Sequence, residues 1–367
     1  MGNSLTKGTE SQPTLDLLDN ALPAVQEAGE HLDVAFMSKS FCMCGLPLRR
    51  QFVRDANTKT SLVPPVEATE FIRTDNRFSL QITSAKFTLP ERNGAKPISF
   101  QVGLPFGAKA RLLIIWMTSQ ARLTGSRWLE IGRIKEWLDS AGIAGISSTT
   151  GSTSNPAAYQ AAKEQLFRLA FARFQMMLVN KGMEQTYFRS NQLISSAIFG
   201  QEDLENYAEG RLVKVRYPVG IELSDEAYKT FTNPNHVIAV STQQLREISN
   251  NAMSIDIFLF LNFKLPQIPV GQTEIVSWKN LVKQFGNSET SSRFRHVFED
   301  SIRHAMRAYA GANVELTEQG LELRYSPPAE TRKSMIAVPK LRLVETEKPL
   351  RVRNRVVPSR DQSELDL

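Results

Sequence analysis

One short stretch of the chain carries Arg293, Arg295, His296, Arg303, His304 and Arg307. Guanidinium groups keep their charge at any physiological pH and donate paired hydrogen bonds to phosphate or to the edge of a guanine. That is recognition chemistry for a polyanion, not bond-breaking chemistry. Among these residues run Phe294, Val297, Phe298, Ile302, Ala305, Met306 and Tyr309, spaced for the inner face of a helix over 291–309. The basic residues, together with Ser292, lie off that stripe, diluted by Glu299 and Asp300. A helix of this diameter fits the major groove of duplex DNA. The plainer alternative is a solvated basic face.

Catalytic arrangements are missing. No G-x-x-x-x-G-K-[ST] stretch offers a phosphate cradle, and no G-x-S-x-G elbow occurs. The histidines His31, His236, His296 and His304 form neither a His-x-His pair nor H-E-x-x-H. Cys42 and Cys44 are the only cysteines, too few for a zinc site and too close for a disulfide framework. They read as reduced thiols. The expectation is a binding protein, not an enzyme, with no cofactor and no metal.

The 367 residues allow two domains plus tails, at 41% hydrophobic and 22% charged. Net charge is +6 and the pI about 9.3, compatible with a polyanionic partner. The first 35 residues run acidic and 332–360 run basic, which suggests two solvated tails with different tasks. The N-terminus lacks the apolar core of a secretory signal. The most apolar run, "SIDIFLFLNFKL", is broken by Asp256, Asn262 and Lys264 and is too short to cross a bilayer. A cytoplasmic protein without membrane contact is expected.

The elements that would position the basic stretch follow from periodicity. "GAKARLLIIWMTSQARL" predicts a helix, "RWLEIG" a short strand, "RIKEWLDSAG" a helix ended by Gly142, and "NPAAYQAAKEQLFRLAF" a third helix. Asn155 suits that helix's N-cap and Pro156 its first position. "FQMMLVNKGMEQTYF" then predicts a hairpin around Asn180–Gly182. Residues 241–326 repeat the order. Ser241 with Gln244 caps a helix, "AMSIDIFLFLNFKL" is a buried helix, and "TEIVSWKNLVKQFG" is strand then helix. The 291–309 helix follows, and "ANVELTEQGLELRY" closes with a turn near Gln319–Gly320. In the first unit the corresponding helix offers Tyr159, Gln160, Lys163 and Arg168 for phosphate contact or self-association. The order is that of a winged helix, seen twice. The predicted fold is α+β: a tail at 1–35, winged-helix domains at 36–230 and 231–330, and a tail at 331–367, both tails disordered.

Four stretches carry a family resemblance: "FMSKSFCMCGLPLRR", "FIRTDNRFSLQI", "LPFGAKARLLIIWMTSQARLTGSRWLEIG" and "VELTEQGLELRYSPPA". They resemble the RepA-type plasmid replication initiators over roughly residues 36–329. The resemblance implies two winged-helix domains that bind repeated sites, iterons, in double-stranded plasmid origin DNA. It implies opening of adjacent A·T-rich duplex, recruitment of the host replicative helicase and initiator, a dimer–monomer equilibrium, and repression of the protein's own gene. By this resemblance the 291–309 helix reads the iteron. A winged-helix transcriptional repressor is the alternative. A rolling-circle nickase would need a His pair that is absent.

The pattern Gln-x-x-Leu-Asp-Leu stands twice, as Gln12, Leu15, Leu17 and as Gln362, Leu365, Leu367. Gln-x-x-Leu-x-Leu is similar to the peptide by which bacterial replication proteins bind the polymerase sliding clamp. An extended peptide would lay two leucines in an apolar groove while the glutamine amide bonds at its rim. A chance match of a short motif is the plainer reading. The basic stretch "KLRLVETEKPLRVRNRVVPSR" reads as a solubilising tail or as a nonspecific arm on DNA phosphates.

Overall fold

Leu112, Leu113, Ile114, Ile115, Trp116 and Met117 are each 0% exposed, and the chain winds around the helix that carries them. A helix apolar on every side must lie inside. The computed structural model describes residues 34–54, 62–74, 78–91, 96–132, 156–180, 185–286 and 291–328. In chain order the described elements are β1 (Ala35–Ser38), α1 (Lys39–Met43), β2 (Glu70–Thr74), β3 (Phe78–Thr83), β4 (Lys86–Leu89) and β5 (Ile98–Gln101). Then come α2 (Gly107–Thr124), β6 (Trp128–Glu130), α3 (Pro156–Phe171), β7 (Arg173–Asn180), β8 (Gln185–Gln192), β9 (Ile194–Ala197) and α4 (Gln201–Ala208). These lead to β10 (Gly220–Leu223), α5 (Asp225–Thr232), β11 (Val237–Val240), α6 (Thr242–Ile248) and α7 (Ala252–Lys264). The last are β12 (Thr273–Ser277), α8 (Trp278–Phe285), α9 (Ser291–Ala308), β13 (Val314–Leu316) and β14 (Gly320–Arg324). The molecule is a mixed, α+β fold.

Local signals end the elements where expected. Gly125 takes a left-handed φ of 63° and its N–H bonds Ala121 O at 3.0 Å, closing α2. Ser241 accepts a hydrogen bond from the Gln244 N–H at 3.3 Å and starts α6. The apolar run 252–264 is the buried helix α7. Asn155 and the 133–142 helix lie outside the described residues.

The described strands of the two units pair differently. In the second, β12 joins its hairpin as β12-β14-β13, with Ser277 opposite Gly320. Gly320 has φ 151°, and a Cβ there would lie 2.1 Å from Val276 O, so the close approach needs glycine. In the first, β6 pairs with β10 in a β6-β10-β9 sheet. The β7–β8 hairpin instead extends β2–β3 into a four-stranded antiparallel sheet.

Contacts cross residue 230/231 freely. Strand β1 pairs with β11 in the register Ala35↔Val240 to Ser38↔Val237. Buried Arg73 on β2 donates to Gln284 O at 2.5 Å and Gly286 O at 2.8 Å, holding the C-terminal end of α8. One hydrophobic cluster runs from Ala35 to Leu323. Cys42 and Cys44 are buried and unbridged, and burial pushes the Cys42 thiol up. Among the described residues, no helix is long and apolar enough to cross a membrane. Residues 1–33 and 329–367, which hold most of both expected tails, lie outside the described set.

Candidate nucleic-acid interface

Helix α9 divides into two faces. Phe294, Phe298, Ile302, Ala305 and Tyr309 are buried, at the spacing of one side of a helix. Each large one contributes about 1.5–3 kcal/mol by leaving water. Phe298 is the hub: its ring meets Phe294 at 5.5 Å, Phe285 at 5.7 Å and Trp278 edge-on at 5.8 Å. Ser254 Oγ on α7 donates to Ser301 O at 3.1 Å. Val297, expected inside, is 37% exposed, because its position falls at the margin of the outer arc.

That outer arc carries Arg293, His296, Asp300, Arg303, His304 and Arg307, all exposed. Arg303 meets Asp300 at 3.1 Å and His296 lies 3.8 Å from the same carboxylate. Such exposed pairs contribute at most about 1 kcal/mol each and exchange readily for another anion. Arg293 and Arg307 have no hydrogen-bond or ion-pair partner among the described residues. Arg295 stands apart on the flank. Its Nε donates to Glu299 Oε1 at 3.1 Å, and its guanidinium lies 4.7 Å from the Trp278 ring centre. Ser292 is in the helix, with its side chain outside the described residues.

The adjacent hairpin has a different character. Arg324 is held by Glu322 at 2.7 Å and Glu315 at 3.3 Å, and the turn exposes Glu318 and Gln319. A turn that presents a carboxylate is poorly suited to phosphate.

The first unit corrects the expectation for its helix. Arg168 on α3 is 3% exposed, not on the surface. Its guanidinium bonds Glu67 at 2.8 Å, Glu164 at 2.9 Å and Leu104 O at 3.0 Å, and stacks on Phe106 at 5.1 Å. Those partners leave it nothing to give a duplex. Lys163 is half-buried, its ammonium donating to Val215 O and lying 5.9 Å from the Tyr217 ring. Burial lowers its pKa, with Asp203 opposing. Tyr159 and Gln160 are half-buried, and Tyr159 O accepts from Tyr217 Oη at 2.8 Å. Helix α3 packs against α2 and β9, and its arginine is held inside the fold. Gln12, Leu15, Leu17, Gln362, Leu365 and Leu367 lie outside the described residues.

Residues 104–280 match the family model described as plasmid encoded RepA protein. Over these residues, just under half of the chain, it is similar to the RepA-type replication initiators. The match begins just before α2 and ends within α8, so α9 lies beyond it and its reading stands on its own geometry. Two solved structures are similar at low identity. A selenomethionine derivative of domains 2 and 3 of RctB has TM-score 0.42 and 12% identity, covering 80% of this chain and 100% of that one. A structure of RctB domains 2–3, RctB-155-483, has TM-score 0.40 and 9% identity, covering 77% and 94%. No curated protein matches the chain.

Two residues escape sequence reading. Trp278 is 17 positions before Arg295, and only the fold brings them together. Arg111 sits in an apolar helix where nothing local marks its partner, Asp256, 145 positions away.

Proposed function

We propose that this RepA-type protein initiates plasmid replication by binding repeated sites in origin DNA with α9 as the groove-entering helix of a winged-helix unit, α6 to β14. The observation that carries the reading is the outer arc of α9: exposed, basic, and with Arg293 and Arg307 unpartnered among the described residues. A helix with side chains about 10–12 Å across fills a major groove about 12 Å wide. Helix α9 is braced by α7 and α8, so its arc is preorganised and little freedom is lost on binding.

In this reading the protein is a cytoplasmic, non-enzymatic binder. It opens A·T-rich duplex by stabilising the bent or melted form, recruits the host helicase and initiator, equilibrates between monomer and dimer, and represses its own gene. Nuclease footprinting on the plasmid that encodes it is the test. Evenly spaced protections beside an A·T-rich tract are expected. A single inverted repeat at the promoter would make it a repressor instead, and no protected sequence would end the reading.

A further inference from the structure

Arg295 is chemically unlike the other arginines of α9. It lies two residues from Arg293, hence about 200° round the helix, on the flank that faces α8. Its guanidinium lies over Trp278 at 4.7 Å, and Trp278 is itself fixed from two sides. The indole Nε1 donates to Thr317 O at 3.1 Å, and the ring packs edge-on against Phe298. A cation over a fixed aromatic face gains electrostatic attraction and loses little further freedom when it binds. Glu299 takes the Nε–H. The two Nη groups have no partner among the described residues, and the side chain is 49% exposed. What remains is an oriented pair of N–H donors on the side of a helix, matched to an acceptor with two oxygens.

We propose that Arg295 is a fixed DNA-phosphate contact, positioned by Trp278, on the wall of the groove that α9 enters. The inference rests on the DNA-binding reading of α9 and divides its arginines by task. A helix that fills the major groove with its outer arc presses its flanks against the sugar-phosphate walls. Arg293, Arg303 and Arg307 then face base edges, whereas Arg295 faces a phosphate.

The test uses the full chain, a duplex selected from a random library by the wild-type protein, and a scrambled duplex of equal length. Affinity for both is measured from 50 to 200 mM salt, with thermal melts as folding controls. Each phosphate contact adds about 0.9 to the log–log salt slope, so Arg295→Gln should lose about 3.5-fold less affinity than wild type across that range. At fixed salt it should weaken both duplexes by the same factor. Trp278→Leu should reproduce this change of slope, whereas Trp278→Phe, which keeps a ring face but loses the Thr317 bond, should retain the wild-type slope. An unchanged slope with loss confined to the selected duplex would make Arg295 a base reader and overturn the proposal. A wild-type slope in a folded Trp278→Leu protein would remove Trp278 from the role. Failure of Arg295 alone is distinguishable from failure of the underlying reading: in the latter, Arg293→Gln with Arg307→Gln would also leave selected-site binding unchanged.

Discussion

Arg111 on α2 and Asp256 on α7 form a two-pronged ion pair, Nε to Oδ1 and Nη2 to Oδ2 both at 2.6 Å, with each side chain at most 3% exposed. The remaining guanidinium protons go to Leu46 O at 2.6 Å, Gly107 O at 2.8 Å and Pro47 O at 3.2 Å. All five donors are therefore satisfied, which is the condition for burying such a charge. The pair joins helices 145 positions apart in sequence and closes over Gly45, where a Cβ would lie 2.1 Å from Asp256 Oδ2. Removing one member strands the other. Asp256→Ala should destabilise the fold by about 3–5 kcal/mol in urea unfolding. The double change Arg111→Met with Asp256→Leu should recover much of that loss, since an apolar pair leaves no charge unmatched. Equal destabilisation by the double variant would show that the pair contributes more than mutual neutralisation.

Glu67 supplies a pH-dependent counterpart. Burial raises its pKa, but the Arg168 hydrogen bond and the Arg168 and Arg50 charges outweigh this, leaving it below the usual carboxylate range. A carboxyl whose folded value is depressed stabilises the fold above its unfolded value and loses that contribution as pH falls through the folded one. Stability should therefore decline on acidification below about pH 4.5, the ordinary value. Glu67→Gln should flatten that acid limb while lowering stability at pH 7. Denaturant midpoints from pH 7 to pH 3 for the two proteins check this; parallel curves would refute it.

What could be read from sequence was local. Phe294, Phe298 and Ile302 recur at helical spacing, so both faces of α9 were legible without any knowledge of the fold. The same holds for α7, whose apolar run exceeds a strand's length. The burial of Arg168 has no local signal, because the residue that neutralises it, Glu67, is 101 positions away. A basic residue on a helix looks exposed until a distant carboxylate is folded onto it. The strand pairing of β6 was hidden likewise. Its partner β10 follows a long excursion, so the sheet connectivity of the first unit does not repeat that of the second.

Arg293 and Arg307 should separate specificity from affinity. If they face base edges, Arg293→Gln should cost about 1–3 kcal/mol on the preferred sequence and relax discrimination at one or two base positions. Random duplex should be affected far less. Selection from a random library with each variant reads the change directly, and an unaltered consensus would exclude a base-reading role.

The terminal Gln-x-x-Leu-Asp-Leu segments allow a sharp test of partner choice. Each buried leucine offers about 1.5–3 kcal/mol before ordering costs, so one copy should bind a sliding clamp weakly. Two copies on a symmetric ring should bind more tightly through effective concentration. Leu365→Ala with Leu367→Ala should reduce retention on immobilised clamp, and adding Leu15→Ala with Leu17→Ala should abolish it. Retention unaffected by all four changes would exclude these segments as clamp-binding peptides.

Asp300 is the discordant group on the outer arc of α9, the face proposed to meet DNA. It sits 52% exposed between His296 and Arg303, where a carboxylate repels every approaching phosphate. A carboxylate in the major groove has one favourable use, accepting from the exocyclic amine of cytosine. Elsewhere it acts against binding, which makes it a device for specificity: it penalises random sequence and is compensated only at the right base. Asp300→Asn removes the charge and keeps the side chain's size. It should therefore tighten binding to random duplex while narrowing the ratio between preferred and random sequence, most visibly at low salt, where screening is weakest. If the substitution leaves that ratio unchanged, Asp300 acts only as a tether for Arg303, and the specificity of α9 resides in its arginines.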